Sequence, residues 1–118
     1  MTERLSVLVI EDEPLIAMMM EDFVDLLGHD VAGVCDSVAS AIDRIDGGEF
    51  DVAILDVHLR DGVCWPVADA LTAAGKRFLI ASGGFVEPPP ERHQDAPQLA
   101  KPFTLDGVRT ALDNLTRA

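Results

Sequence analysis

Short apolar runs alternate along this chain with stretches whose apolar residues recur every three or four positions, and that alternation limits the fold more than any other feature. Leu5 to Ile10 is nearly continuous in Val, Leu and Ile, the pattern of a strand covered on both faces. Ile16, Met19, Met20, Phe23 and Leu27 then fall on one helical face, and Gly28 supplies a helix stop. The pattern repeats with strands at Asp30 to Cys35, Val52 to Asp56, Phe78 to Ala81 and Gln98 to Ala100. The intervening helices start near Ser37 and Pro66, and a last one starts after Thr104. Strand-helix alternation calls for an α/β fold, a doubly wound five-stranded parallel sheet with right-handed crossovers. Gly83 to Pro90 breaks the rhythm, because Pro88, Pro89 and Pro90 lack the N–H a helix needs. A fourth helix is therefore expected to be short, irregular or absent. Asp12 is read as the cap of the first helix, His58 to Gly62 as a loop, and His29 and His93 as surface residues.

A chain of 118 residues suits one domain, 1–118, with no output domain attached. Nine basic residues against 21 acidic give a net charge of −12, which repels nucleic acid and anionic lipid and favours cations or a basic protein partner. No apolar run approaches the ~20 residues of a membrane span, and no signal sequence is evident, so a cytoplasmic location without membrane contact is expected. Cys35 and Cys64 are too few for a disulfide framework or zinc site and are read as reduced.

The chemistry gathers at the strand tips. Ligands of open parallel sheets bind beyond the carboxyl ends of the strands, where strand order reverses. With order 2-1-3-4-5, the first and third strands are neighbours at that point, and their tips carry Glu11, Asp12 and Asp56. Crowded carboxylates repel one another, and a hard divalent cation such as Mg²⁺ resolves the conflict with oxygen ligands. The main-chain carbonyl of His58, two residues past Asp56, is a further candidate ligand. Asp56 is the candidate nucleophile for an aspartyl phosphate. Lys101 offers a point charge, Ser82 a hydroxyl, and Gly83 and Gly84 approachable N–H groups to phosphate oxygens.

These residues stand in four motifs: Val9-Ile10-Glu11-Asp12-Glu13-Pro14, Leu55-Asp56-Val57-His58-Leu59, Ala81-Ser82-Gly83 and Ala100-Lys101-Pro102-Phe103. In that order and at those intervals the chain resembles a response-regulator receiver domain of the chemotaxis-regulator type. The resemblance implies a flavodoxin-like fold and phosphotransfer to Asp56 from a histidine kinase or histidine phosphotransferase. It also implies Mg²⁺ on Asp12 and, directly or through water, on Glu11. Ser82 becomes the switch hydroxyl and Lys101 the phosphate sensor. Such a protein is not an enzyme in the usual sense, although it supports its own Mg²⁺-dependent phosphotransfer and dephosphorylation. Its output is contact with a downstream protein partner or onward phosphotransfer.

Two departures stand out. Gln98 occupies the place, three before the lysine, where receivers usually carry an aromatic switch residue. The run from Phe78 to Phe85 is similar to the Pro-Phe-x-Phe-Ala-Thr-Gly-Gly-Tyr signature of a stand-alone subgroup nicknamed FAT GUY, with Arg77, Ile80, Ser82 and Phe85 as replacements. That subgroup implies a stress-response phosphorelay and a switch built on Ser82, Gly83, Gly84 and Phe85. The competing reading is a receiver-fold interaction module that is never phosphorylated.

Overall fold

The computed structural model describes residues 4–82, 89–100 and 103–116, with the side chains of residues 82, 100 and 116 excluded. Five strands form one parallel sheet: β1 (Ser6–Ile10), β2 (Asp30–Cys35), β3 (Val52–Asp56), β6 (Arg77–Ser82) and β7 (Gln98–Ala100), in the order β2-β1-β3-β6-β7. This is the expected 2-1-3-4-5 order. Between β3 and β6, β4 (His58–Leu59) and β5 (Gly62–Val63) pair antiparallel as a separate hairpin. The region after Asp56 is thus a hairpin where the sequence suggested a loop.

Successive residues of a strand face opposite sides, and the core divides accordingly. Leu8, Ile10, Ala53, Leu55, Phe78 and Ile80 pack with α2 (Val38–Gly47) and α3 (Trp65–Ala73). Val7, Val9, Val52, Ile54, Leu79 and Ala81 pack with α1 (Pro14–Leu26) and α4 (Leu105–Thr116). Leu8, Ile10, Ile54, Leu55, Leu79 and Ile80 are all under 2–3% exposed, so the central strands are sealed on both faces. Their continuous apolar runs are the sequence form of that double burial.

The helix ends follow local chemistry. Ser37 caps α2, its hydroxyl accepting from the Ser40 N–H, and Gly48 closes that helix in the left-handed region at φ 69°. Thr104 caps α4 by accepting from the Gly107 N–H at 2.9 Å. The start of α1 differs from the expectation at Asp12. Pro14 takes the first helical position and drives its predecessor into extended backbone. Glu13 therefore occupies the cap position, without a side-chain cap, and Asp12 is left to face the strand tips.

Between β6 and β7 the described residues contain one 3₁₀ turn, Glu91–His93, in place of a regular helix. His93 is not a surface residue: it is 6% exposed, stacked on Trp65 at 6.0 Å and edge-on to Phe78 at 5.9 Å. Its Nε2 lies 2.7 Å from the Asp69 carboxylate, which Arg92 also grips through two bonds. His29 is likewise buried, its Nδ1 accepting from the Leu5 N–H at 3.0 Å. Each ring fills an apolar gap while a polar partner satisfies its nitrogen, a combination that helical periodicity does not reveal.

Candidate functional site

The parallel pairing of β1 and β3 aligns Ile10 with Leu55, so one further step along each strand brings Glu11 alongside Asp56. Ligand oxygens of Glu11, Asp12 and Asp56 all lie within 4.8 Å of one another. Glu11 is 5% exposed and Asp56 9%, whereas Asp12 is half-buried. The Glu11 N–H donates to the Cys35 carbonyl at 2.9 Å, so β2 helps fix the turn out of β1. The Glu11 carboxylate in turn accepts from the Glu13 N–H at 3.1 Å.

The electrostatics follow from this crowding. Burial pushes the Glu11 carboxyl up to about 7; the Glu13 N–H pulls it down, and the nearby Asp56 charge adds to the rise. Glu11 therefore keeps its proton to a higher pH than an exposed glutamate does. Cys64, fully buried at the start of α3, has its thiol pushed up to about 12 by burial first and by the Asp56 charge second.

Three carboxylates with ligand oxygens gathered in one cluster fit a small divalent cation. Mg²⁺ prefers carboxylate oxygen and keeps several waters, so three protein ligands leave coordination positions for water or phosphate. The donor set contains no nitrogen or sulfur ligand of the kind zinc favours.

The β4–β5 hairpin places His58 directly after the site. The Val57 carbonyl accepts from the Cys64 N–H at 2.8 Å, making Val57 and Cys64 a hydrogen-bonded pair. By the alternation of antiparallel ladders, His58 and Val63 then form a pair without mutual bonds, and the N–H and C=O of His58 point out of the hairpin. Its carbonyl is therefore not consumed by hairpin pairing.

Of the other anticipated residues, Ser82 ends β6 opposite the site strand, with Ala81 aligned to Asp56. The Ser82 side chain, Gly83, Gly84, Phe85 and Lys101 lie outside the described residues. Asp61 lies in the segment that the sequence suggests is a loop. In the structure its carboxylate accepts from the Val38 N–H at 2.6 Å and the Ala39 N–H at 3.2 Å, capping α2 from a different part of the chain. The Asp61-Gly62 pair signals a turn, but a cap supplied from 23 residues away leaves no local signature.

No family model matches the chain. SdrG from Sphingomonas melonis Fr1 is similar in structure, at 45% identity over 99% of this chain and 100% of that one, with a TM-score of 0.85. The REC domain of the PhyR response regulator from Erythrobacter litoralis is 28% identical over 98% of this chain and 95% of its own, with a TM-score of 0.75. Among curated proteins, the phyllosphere-induced regulator PhyR of Methylorubrum extorquens is 36% identical over 83% of this chain and 38% of its own length. The chain spans less than half the length of the curated relatives it matches.

Proposed function

This chain belongs to the response-regulator receiver family, and from that premise we propose that it accepts a phosphoryl group on Asp56 from a protein phosphohistidine, with Mg²⁺ held by Glu11, Asp12 and Asp56. The observation that carries the proposal is the convergence of those three carboxylates within 4.8 Å at the tips of adjacent strands.

A carboxylate oxygen of Asp56 attacks phosphorus as the bond to the donor imidazole breaks. The imidazole leaves with the electron pair of that bond and takes up a proton, and Asp56 becomes an acyl phosphate. Mg²⁺, when bound, would supply positive charge against the incoming phosphoryl oxygens. Glu11 and Asp12 would hold the ion, and Asp56 would both ligate it and react. Glu11 must release its proton before it can serve, which makes loading of the site easier as pH rises. Val57, next in the chain, and Cys64, close enough for its thiol to feel the Asp56 charge, are both buried. Ser82 and Lys101 take phosphoryl oxygens by analogy with the family.

The phosphorylated protein then acts on a downstream protein, or returns the group to another histidine. Among the described residues no helix is long and apolar enough to cross a membrane.

The test uses beryllofluoride, a mimic of an acyl phosphate, with amide chemical shifts as the readout. With Mg²⁺ present, shifts are expected to centre on Glu11, Asp12, Asp56 and the β4–β5 hairpin. They should be absent with a chelator and in Asp56→Asn. A chain that shows no Mg²⁺-dependent response would instead be an interaction module that keeps the fold without the chemistry.

A further inference from the structure

Asp61 occupies the turn of the β4–β5 hairpin, the segment that leaves Asp56 and carries His58. Its carboxylate binds the first two N–H groups of α2, from Val38 and Ala39. The Val38 N–H is the main reason its carboxyl lies below the ordinary range. A second tie lies beside it: the Arg60 N–H donates to the Asp36 carbonyl at 3.3 Å, and the Arg60 guanidinium is 3.3 Å from the Asp36 carboxylate.

Helix α2 already has a cap. Ser37 accepts from the Ser40 N–H at 3.1 Å, and the Ser40 hydroxyl accepts from the Ser37 N–H at 3.3 Å. The hairpin depends on the contact more than the helix does. Its strands pair at only two positions, His58 with Val63 and Leu59 with Gly62, with the Cys64 N–H on the Val57 carbonyl closing the base, and so short a two-stranded ribbon is not stable alone. Its turn is exposed, and what anchors that end is Asp61 and Arg60 on the start of α2 and the end of β2.

We propose that Asp61 is a positioning residue for the metal centre. By fastening the hairpin to the first turn of α2, it fixes the main chain that follows Asp56. The cation then meets the carboxylates and the outward-facing His58 main chain already in place. This rests on the reading that Glu11, Asp12 and Asp56 bind Mg²⁺. Groups that hold ligands from outside the coordination shell typically set metal affinity by about 10–100-fold, and a contact at this remove belongs at the lower end.

The test measures affinity rather than activity. Mn²⁺ is titrated into the full chain by water-proton relaxation, and Mg²⁺ is measured by competition. Thermal unfolding in chelator is recorded for the same samples. Asp61→Ala should weaken both ions about tenfold. Asp61→Asn, which loses the charge but keeps an oxygen to accept an N–H, should recover most of that loss. Ser37→Ala removes the other cap of the same helix, so it should lower the melting temperature and leave affinity unchanged. Unaltered affinity in Asp61→Ala overturns the proposal. So does equal weakening in the Asn and Ala variants, which would make the effect one of charge alone. So does weakening in Ser37→Ala that tracks its loss of stability. No saturable binding by the unmodified chain would overturn the reading of the carboxylates themselves, and this proposal with it.

Discussion

Replacing Glu11 with Gln isolates the electrostatic strain in the site. In the folded protein burial pushes the Glu11 carboxyl from its ordinary 4.5 up to about 7. Between those two pH values the native state keeps a proton that the unfolded chain has lost. Stability from this source is therefore complete below the unfolded value and drains away as pH rises through the folded one. At 1.36 kcal/mol per pH unit, the span from 4.5 to about 7 amounts to as much as about 3 kcal/mol lost by pH 8. For a domain of this size that is roughly 10 °C in melting temperature. Gln has nearly the same shape, keeps an oxygen for the Glu13 N–H and carries no charge to desolvate. Thermal unfolding followed by circular dichroism in chelator, from pH 5.5 to 8, should show the unmodified protein losing stability with pH relative to Glu11→Gln. At pH 8 the variant should be the more stable of the two. Saturating Mg²⁺ should reverse that ranking, because the ion stabilises the ionised carboxylate that the variant lacks. A difference between the two proteins that does not change with pH, or a variant less stable than its parent at pH 8 without metal, would refute the reasoning.

Other expectations follow from the same structure. Mg²⁺ affinity should rise as pH increases from 6 to 8, with proton release on binding detectable by comparing buffers of different ionisation heat; affinity independent of pH would mean Glu11 is not a ligand. Asp69→Ala frees Arg92 and leaves the buried His93 without its partner, which should cost about 1–2 kcal/mol and change the fluorescence of Trp65, on which His93 stacks. Arg92 first and His93 second hold the Asp69 carboxyl down at about 2, so this clamp persists above the ordinary carboxylate range and is lost as pH falls from about 4 towards 2. Cys64 is fully buried and its thiol is pushed up to about 12, so thiol reagents should not modify it in the native protein; reaction at a rate matching the unfolded chain would contradict the placement.

Much of the fold could be read before the structure because its determinants are local. Strands sealed on both faces leave continuous apolar runs, and β3 and β7 fall where those runs predict. The same holds for the three carboxylates, since strand tips are defined by where the runs stop. What escaped reading depends on contacts between distant segments. The Asp61 cap spans 23 residues and the His93 pairing with Asp69 spans 24. Nothing in the immediate neighbourhood of either residue distinguishes it from a surface group. His29 and His93 were misplaced for a related reason: a histidine can be buried wherever one distant partner satisfies its ring. Acids favour helix starts, so the sequence offers Asp12 as a cap as well as a metal ligand, but Pro14 shifts the cap position to Glu13. Only the place of Asp12 in the carboxylate cluster remains.

Phosphoryl transfer to Asp56, helped by a cation on its neighbours, is the chemistry proposed for this chain. Its most direct test is intact-mass analysis after incubation with a small-molecule phosphodonor and Mg²⁺, followed by mapping of the modified peptide. One phosphoryl group is predicted, stable to acid and labile to base, located on Asp56 and lost in chelator and in Asp56→Asn. No modification, modification without a divalent cation, or a phosphoryl group that persists in Asp56→Asn would contradict the account.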